Sequence, residues 1–239
     1  MTAPSELPAL PDDWSRALAI AAHPDDLEYG AASAVAAWTA GGREVGYLLV
    51  TRGEAGIAGL DPAVAAGVRE EEERRSAAVV GVSDVRFLGR RDGVVVEDLE
   101  LRRDLAREIR RARPDVVVTV NHHETFGPGA WNSADHRAVG RAVIDAVGDA
   151  GNAWIFPELV DEGFLPWSVR FVAVASSPHP THAVDVTDAW QRGVTSLAEH
   201  RAYLAALDER AVEEQAREIV LAGVGGADGP ARVEFEVFG

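Results

Sequence analysis

His23-Pro24-Asp25-Asp26 is the first place in the chain where side chains that bind metals and move protons crowd together. A second is Asn121-His122-His123-Glu124, and a third is Ser133-Ala134-Asp135-His136. Four of the seven histidines fall in these three stretches. Two imidazoles and one carboxylate around an open position are the donor set of a catalytic Zn²⁺ site. A further carboxylate beside a ligand is placed to take a proton from water activated there. His23, Asp26 and His136 supply such donors, with Asp25 as the neighbouring carboxylate, if the fold brings residues 23–26 and 136 together. The same residues also have a purely structural reading. His-Pro-Asp-Asp suits a turn, because Pro fixes φ and Asp bonds nearby amides. Ser133 or Asp135 suits a helix N-cap.

Composition narrows the chemistry. Cys is absent, so disulfides, thiolate ligands and a cysteine nucleophile are excluded. A transition metal must then use His and carboxylate ligands. All 23 basic residues are Arg, which excludes a Schiff-base lysine and a Walker lysine. With 39 acidic residues the net charge is −16. Such a charge argues against nucleic acid as a partner, which needs a basic footprint, and against an anionic membrane surface. The longest apolar runs are strand-sized, far short of a membrane span. No basic region precedes an apolar stretch near residue 1, so no targeting signal is evident. The expectation is a cytoplasmic protein acting on a small molecule. A nucleotide site is weakly supported, since no G-x-G-x-x-G follows the first apolar run.

The elements that must position these residues alternate. Apolar runs at 17–22, 44–51, 85–88, 115–120 and 169–175 read as strands. Segments 30–40, 69–80, 98–112, 134–147 and 187–222 read as helices, the last broken near Asp208. Residues 233–238 alternate apolar and charged, as a half-exposed edge strand would, and such an edge leaves a homo-oligomer open. Alternating strand and helix is the signature of an α/β, doubly wound, mainly parallel sheet. A length of 239 residues suits a single three-layer domain, here 17–239 after a Pro-containing lead-in, 1–16. Ligands bind such sheets outside the carboxyl ends of the strands, which is where His23 and Asn121 fall.

Ala22-His23-Pro24-Asp25-Asp26-Leu27-Glu28 resembles the opening motif of the PIG-L/LmbE-like zinc-dependent N-deacetylases. Further matches follow in order. They are Thr51-Arg52-Gly53-Glu54-Ala55-Gly56, then Arg69 and Glu72 with Gly81-Val82, then Phe87-Leu88-Gly89 with Asp92-Gly93. Pro114 to Thr119, Asp135-His136, Asp185-Val186-Thr187 and His200 complete the set.

The resemblance implies a Rossmann-like fold and one divalent ion per chain, Zn²⁺ or another divalent metal that His/His/Asp accommodates. It implies removal of the N-acetyl group from an N-acetylglucosamine-containing small molecule or glycoconjugate. His23, Asp26 and His136 would be the ligands and Asp25 the general base. Arg69 and Asp92 align with sugar contacts, and Glu54 lies in a loop bordering the site. The chain departs from the family at Ser133, where relatives have His. It departs again at Trp131, where some have a Tyr that steadies the oxyanion; the indole Nε1–H is the donor left there. His182, just before Asp185-Val186-Thr187, is the first choice among His122, His123, His179 and His182 to supply the missing imidazole. Two other readings stand beside this one. One is an amidase for a larger amide, its pocket shaped by residues 52–68 and by Trp154, Phe156, Phe164 and Trp167. The other is a non-catalytic metal-binding module of the same fold.

Overall fold

The computed structural model describes residues 7–225 and 230–239. In chain order, β1 (Arg16–Ala21) leads into the short α1 (Asp26–Gly30) and α2 (Ala32–Ala40), then β2 (Glu44–Thr51), α3 (Pro62–Val79), β3 (Val85–Arg90) and α4 (Leu99–Ala112). After β4 (Val116–Val120) come a two-stranded excursion, β5 (Thr125–Gly127) and β6 (Ala130–Trp131), and the helices α5 (Ala134–Ala150) and α6 (Glu158–Asp161). The chain continues through β7 (Phe171–Ala175), β8 (His182–Asp185), α7 (Trp190–Leu197), α8 (Arg201–Leu207), α9 (Val212–Gly223) and β9 (Arg232–Phe238).

The strands of the sheet centre are continuous apolar runs because both of their faces are covered. Every residue of β4 is buried, and so is every residue of β1 after Arg16. On one face Tyr47, Leu49, Val35 and Trp38 form a core with Leu197 and Val220. On the other, Ile20 and Leu48 pack against Leu101, Leu105 and Ile109 of α4 and Val143 of α5. Those α4 residues recur every four positions, the spacing of one helix face. The result is the expected three-layer α/β domain.

The sheet order is β3-β2-β1-β4-β7-β9-β8. β1 pairs in parallel with β2 on one side and with β4 on the other, Ala17 facing Val116 and Ile20 facing Thr119. The chain runs outward from β1 to β3 and then crosses to β4. The order therefore reverses beside β1, which opens a crevice at the carboxyl ends of β1 and β4.

Several features differ from the expectation. β9 is not an edge strand; it lies antiparallel between β7 and β8. Its alternation reflects one face packed on the core through Val233 and Phe235, with Glu234 and Glu236 turned away. β8 is too short, and too close to Pro180, for its periodicity to show in the sequence. Residues 8–10 run along β8, with Leu10 N–H donating to the Ala183 carbonyl at 3.0 Å. Trp14 is buried edge-on against Trp38, ring centroids 5.3 Å apart. The described part of the lead-in thus joins the core; residues 1–6 lie outside the described residues. The segment 187–222 is three helices, broken at Asp208 as expected and also before His200. α3 starts at Pro62, inside the expected loop, because Asp61 caps it by accepting from Ala63 N–H at 2.9 Å. Among the described residues, no helix is long and apolar enough to cross a membrane.

The far end of α5 is anchored by Arg110, which is 1% exposed. Its guanidinium donates to the carbonyls of Asp149 (3.1 Å), Ala150 (3.1 Å), Asn152 (2.8 Å) and Ile155 (3.0 Å). Arg110→Met fills similar volume but strands these acceptors. It is expected to cost about 3 kcal/mol, lowering the melting temperature by roughly 6–12 °C for a chain of this size. Thermal denaturation followed by circular dichroism measures it.

Candidate active site

β1 ends at Ala21, and the chain turns immediately through His23-Pro24-Asp25 into α1. Asp25 sits at φ 99°, a conformation costing roughly 1–3 kcal/mol for a residue other than glycine. Its surroundings hold it there. Its backbone N–H donates to Glu73 Oε2 at 3.2 Å, and its carbonyl accepts from Glu28 and Tyr29. Glu73 is fully buried beside Glu28 and His200. Burial and the neighbouring Glu28 push its carboxyl well above the usual range, so it fills the position without adding a full charge.

Asp26 is fixed by two backbone donors, Ala22 N–H at 3.0 Å and His23 N–H at 2.9 Å, both to Oδ2. Its Oδ1 lies 2.9 Å from His136 Nε2, and its Oδ2 lies 3.5 Å from His23 Nδ1. His136 stands in the first turn of α5, which Ser133 caps by accepting from His136 N–H at 3.1 Å. The structural reading of Ser133 is therefore correct. One donor nitrogen or oxygen from each of His23, Asp26 and His136 falls within 4.8 Å of the others. The adjacency of β1 and β4 brings together what 112 intervening residues separate in the chain.

The outer contacts decide which nitrogens are available. Asn132 Nδ2 donates to the carbonyls of Asn121 (2.8 Å) and His123 (2.9 Å), so Oδ1 must be the atom facing His136 Nδ1, at 2.9 Å. His136 Nδ1 then carries a proton, and Nε2, which shares a proton with Asp26 Oδ1 here, is the nitrogen left to an ion that would displace it. His23 Nε2 lies 3.2 Å from Asp92 Oδ1 and 3.3 Å from Asp135 Oδ2. Carboxylates only accept, so Nε2 carries the proton and Nδ1 faces Asp26. Such partners fix the tautomer of metal-ligating histidines. Neither Asn132 nor Asp135 is identifiable as an orienting group from sequence. Asn132→Ala is expected to weaken metal affinity by about 10–100-fold, read by competition with a chromogenic chelator.

The charges ask for a cation. Among the described residues that line the cavity, Asp25, Asp26 and Asp92 share one permanent positive group, Arg69. Burial disfavours charge on both histidines, but Asp26 outweighs it, and His23 is held well above its ordinary pKa and His136 above it. Burial raises Asp26 in turn, but His136 and His23 overcome this and hold it well below the usual range. Protons thus gather where a divalent ion would replace them. The donor set, its tautomers and its charge all fit a Zn²⁺-like ion.

Asp25 is near the donors without being one of them. Burial pushes its carboxyl up to about 6, against the pull of Arg69. Arg69 is 1% exposed and donates to Asp25 Oδ1 at 2.8 Å and to the Pro24 carbonyl. Its guanidinium lies over the Tyr203 ring, 3.9 Å from the centroid. Arg69 therefore holds the Asp25 carboxylate, and it also lines the cavity, where the resemblance implies a sugar contact.

His23, Asp25, Asp26 and His136 open into one cavity of about 480 Å³, together with Tyr29, Asp92, Phe126, Ser133 and Tyr203. Glu54 stays behind this wall. Its carboxylate accepts from Asp92 N–H at 2.9 Å, and Asp92 accepts from Ala55 N–H at 2.8 Å, a reciprocal clip between two loops.

Two expected residues are elsewhere. Trp131 is 68% exposed, and its ring carries the Arg137 guanidinium 4.9 Å from the centroid. Phe126 on the same hairpin lines the cavity in its place. His182 opens β8, and β9 and β7 stand between it and β4. Three strand spacings put it roughly 14 Å from β4, with its Nδ1 2.9 Å from Thr181 Oγ1.

The family model described as PIG-L, GlcNAc-PI de-N-acetylase, matches residues 18–147. Diacetylchitobiose deacetylase of Thermococcus kodakarensis is 29% identical over 198 residues, covering 79% of this chain and 70% of the relative. A 1D-myo-inositol 2-acetamido-2-deoxy-alpha-D-glucopyranoside deacetylase of Kineococcus radiotolerans is 31% identical over 209 residues, covering 71% of this chain and 54% of the relative. The solved N,N'-diacetylchitobiose deacetylase from Pyrococcus horikoshii matches with a TM-score of 0.84 at 24% identity, over 95% of this chain and 84% of that one.

A doubly wound α/β sheet with a metal-ready cluster and a separate buried carboxylate at its switch point defines the class, a hydrolase. The matched model spans more than half of the residues, and the chain belongs to the PIG-L family.

Proposed function

We propose that this chain hydrolyses the N-acetyl group of an N-acetylglucosamine unit in a small molecule or glycoconjugate, using one divalent ion, Zn²⁺ before others, held by His23, Asp26 and His136. One observation carries the reading: Asp25, a buried proton acceptor, shares a single cavity with a His/His/Asp donor set. The relatives' deacetylase activities support it.

The chemistry such an ion supplies is polarisation of the amide carbonyl and acidification of water. Asp25 takes the proton of the attacking water. Arg69 keeps that carboxylate aimed into the cavity and, being permanently charged, does not compete for the proton. Asp25 then returns the proton to the nitrogen of the departing amine. A carboxyl near 6 suits both transfers. Ser133 Oγ accepts from an amide, so its own hydrogen remains free to donate. This assigns to Asp25 the work expected of His182, since His23 and His136 are the histidines lining the cavity among the described residues.

A cavity of about 480 Å³ is of small-ligand size, within the usual range of about 300–1,000 Å³. The larger-amide reading loses half its basis. Trp167 donates to the Pro114 carbonyl at 2.7 Å, at the amino end of β4, and Phe156 and Phe164 pack on the same core. Trp154 is 87% exposed. None of these aromatics lines the cavity.

The test is release of free amine from N-acetylglucosamine, N,N'-diacetylchitobiose and N-hexanoylglucosamine. Turnover of the acetyl compounds is expected, abolished by chelator and restored by Zn²⁺. Release from the hexanoyl amide alone, or from none of the three with Zn²⁺, Co²⁺ or Fe²⁺ present, overturns the reading.

A further inference from the structure

A second imidazole cluster lies at the carboxyl end of β4, outside the catalytic cavity. His122 and His123 leave β4 side by side, with ring centroids 4.1 Å apart. Glu236 reaches them from β9, its Oε2 2.7 Å from His123 Nε2. The same oxygen accepts from Ser177 Oγ at 2.6 Å. One ring nitrogen of each histidine and a Glu236 carboxylate oxygen all lie within 4.8 Å of one another. His179 stands edge-on to His123, its centroid 5.0 Å away.

His122 Nδ1 is buried and has no hydrogen-bond partner. A buried polar atom left unpaired destabilises the fold unless something comes to bind it. His122 has little freedom to escape this. A Cβ added to Gly140 of α5 would come within 2.6 Å of His122 Cβ, so only a glycine lets the helix lie this close. The close approach fixes the His122 backbone and Cβ beside α5, and its Nδ1 is left unused among the described residues.

Two imidazoles and a carboxylate are borderline ligands, matched to Zn²⁺ or Co²⁺ rather than to Mg²⁺ or Ca²⁺. Donors around a tetrahedral zinc are roughly 3.4 Å apart, so small side-chain rotations bring the three into range. We propose that His122, His123 and Glu236 form a second divalent transition-metal site, with His179 placed to add a fourth donor. The site would pin β9 to the loop after β4. That loop's His123 carbonyl accepts from Asn132, the residue that orients His136. The proposal stands apart from the deacetylase reading, since neither site's donors belong to the other.

The chelator-stripped full chain is titrated with Co²⁺, followed by visible absorption, and with Zn²⁺, followed by calorimetry. Two equivalents are expected for the wild type. His23→Ala/His136→Ala should keep one equivalent. Glu236→Gln and His123→Ala should each lose one and keep the other. Glu236→Gln preserves side-chain shape, and circular dichroism verifies that each variant is folded. A single equivalent in the wild type that Glu236→Gln and His123→Ala both leave intact overturns the proposal. So does no binding by His23→Ala/His136→Ala, or a second equivalent unaffected by both His123→Ala and Glu236→Gln. Loss of amine release in any variant bears on the catalytic reading and leaves this count unchanged.

Discussion

Replacing Asp25 by Asn is expected to lower turnover by about 10²–10⁴-fold, the usual contribution of a positioned acid–base group, and to leave metal uptake by His23, Asp26 and His136 in place. Asn is the informative choice for two reasons. It tolerates positive φ better than other residues of its shape, and the backbone here sits at φ 99°. It also keeps an oxygen for Arg69, which donates to Asp25 Oδ1 at 2.8 Å. What it removes is the charge and the ability to hold a proton. Some stability is lost as well, because Arg69 is buried and keeps only neutral partners, the Pro24 carbonyl and the new amide. Circular dichroism and metal analysis separate that loss from the chemical one. Turnover within tenfold of wild type, in a folded and metal-loaded variant, removes Asp25 from the proton-transfer role.

His136→Ala has the opposite signature. It takes away a donor whose Nε2 lies 2.9 Å from Asp26 Oδ1 and leaves the Asp25–Arg69 pair untouched. Metal affinity should fall by more than the 10–100-fold expected when only an orienting partner is lost, and amine release should drop to background. Helix α5 should survive, because the Ser133 cap bonds the backbone of residue 136 and not its side chain. Equilibrium dialysis with Zn²⁺ reads the affinity. Unchanged affinity at this site removes His136 from the donor set.

The candidate site is legible because His23, Asp25 and Asp26 lie within one turn at the end of an apolar run, and Asp135-His136 opens a helix. Local patterns carry that much. The pairing of β1 with β4 is tertiary, and the sequence shows it only through resemblance to the family. Asn132 is invisible as an orienting group, because its role depends on where the loop places the carbonyls of residues 121 and 123. Arg69 reads as a sugar contact, and its ion pair with Asp25 under the Tyr203 ring is a second role that only the folded arrangement reveals, while it still lines the cavity. His182 and Trp131 are near the motifs in sequence but not in space. The inserted β9 moves His182 one strand farther away, and the β5–β6 hairpin turns Trp131 outward. The edge-strand reading of 233–238 fails for a related reason. Alternation reports two unlike faces, and a strand inside a sheet can have these as readily as one at its border.

The position of β9 also bears on when the molecule can assemble. β8 is bonded to the rest of the sheet through β9, which is made after α7, α8 and α9. Until β9 arrives, β7 has an open border, and β8, with residues 8–10 alongside it, has no route into the sheet. A ribosome-bound chain lacking residues 232–238 would hold β1 and β4, and with them the paired motifs, while still exposing a bare strand to its neighbours. β9 is thus a keystone, and removing it would threaten solubility before it touched the residues at the ends of β1 and β4.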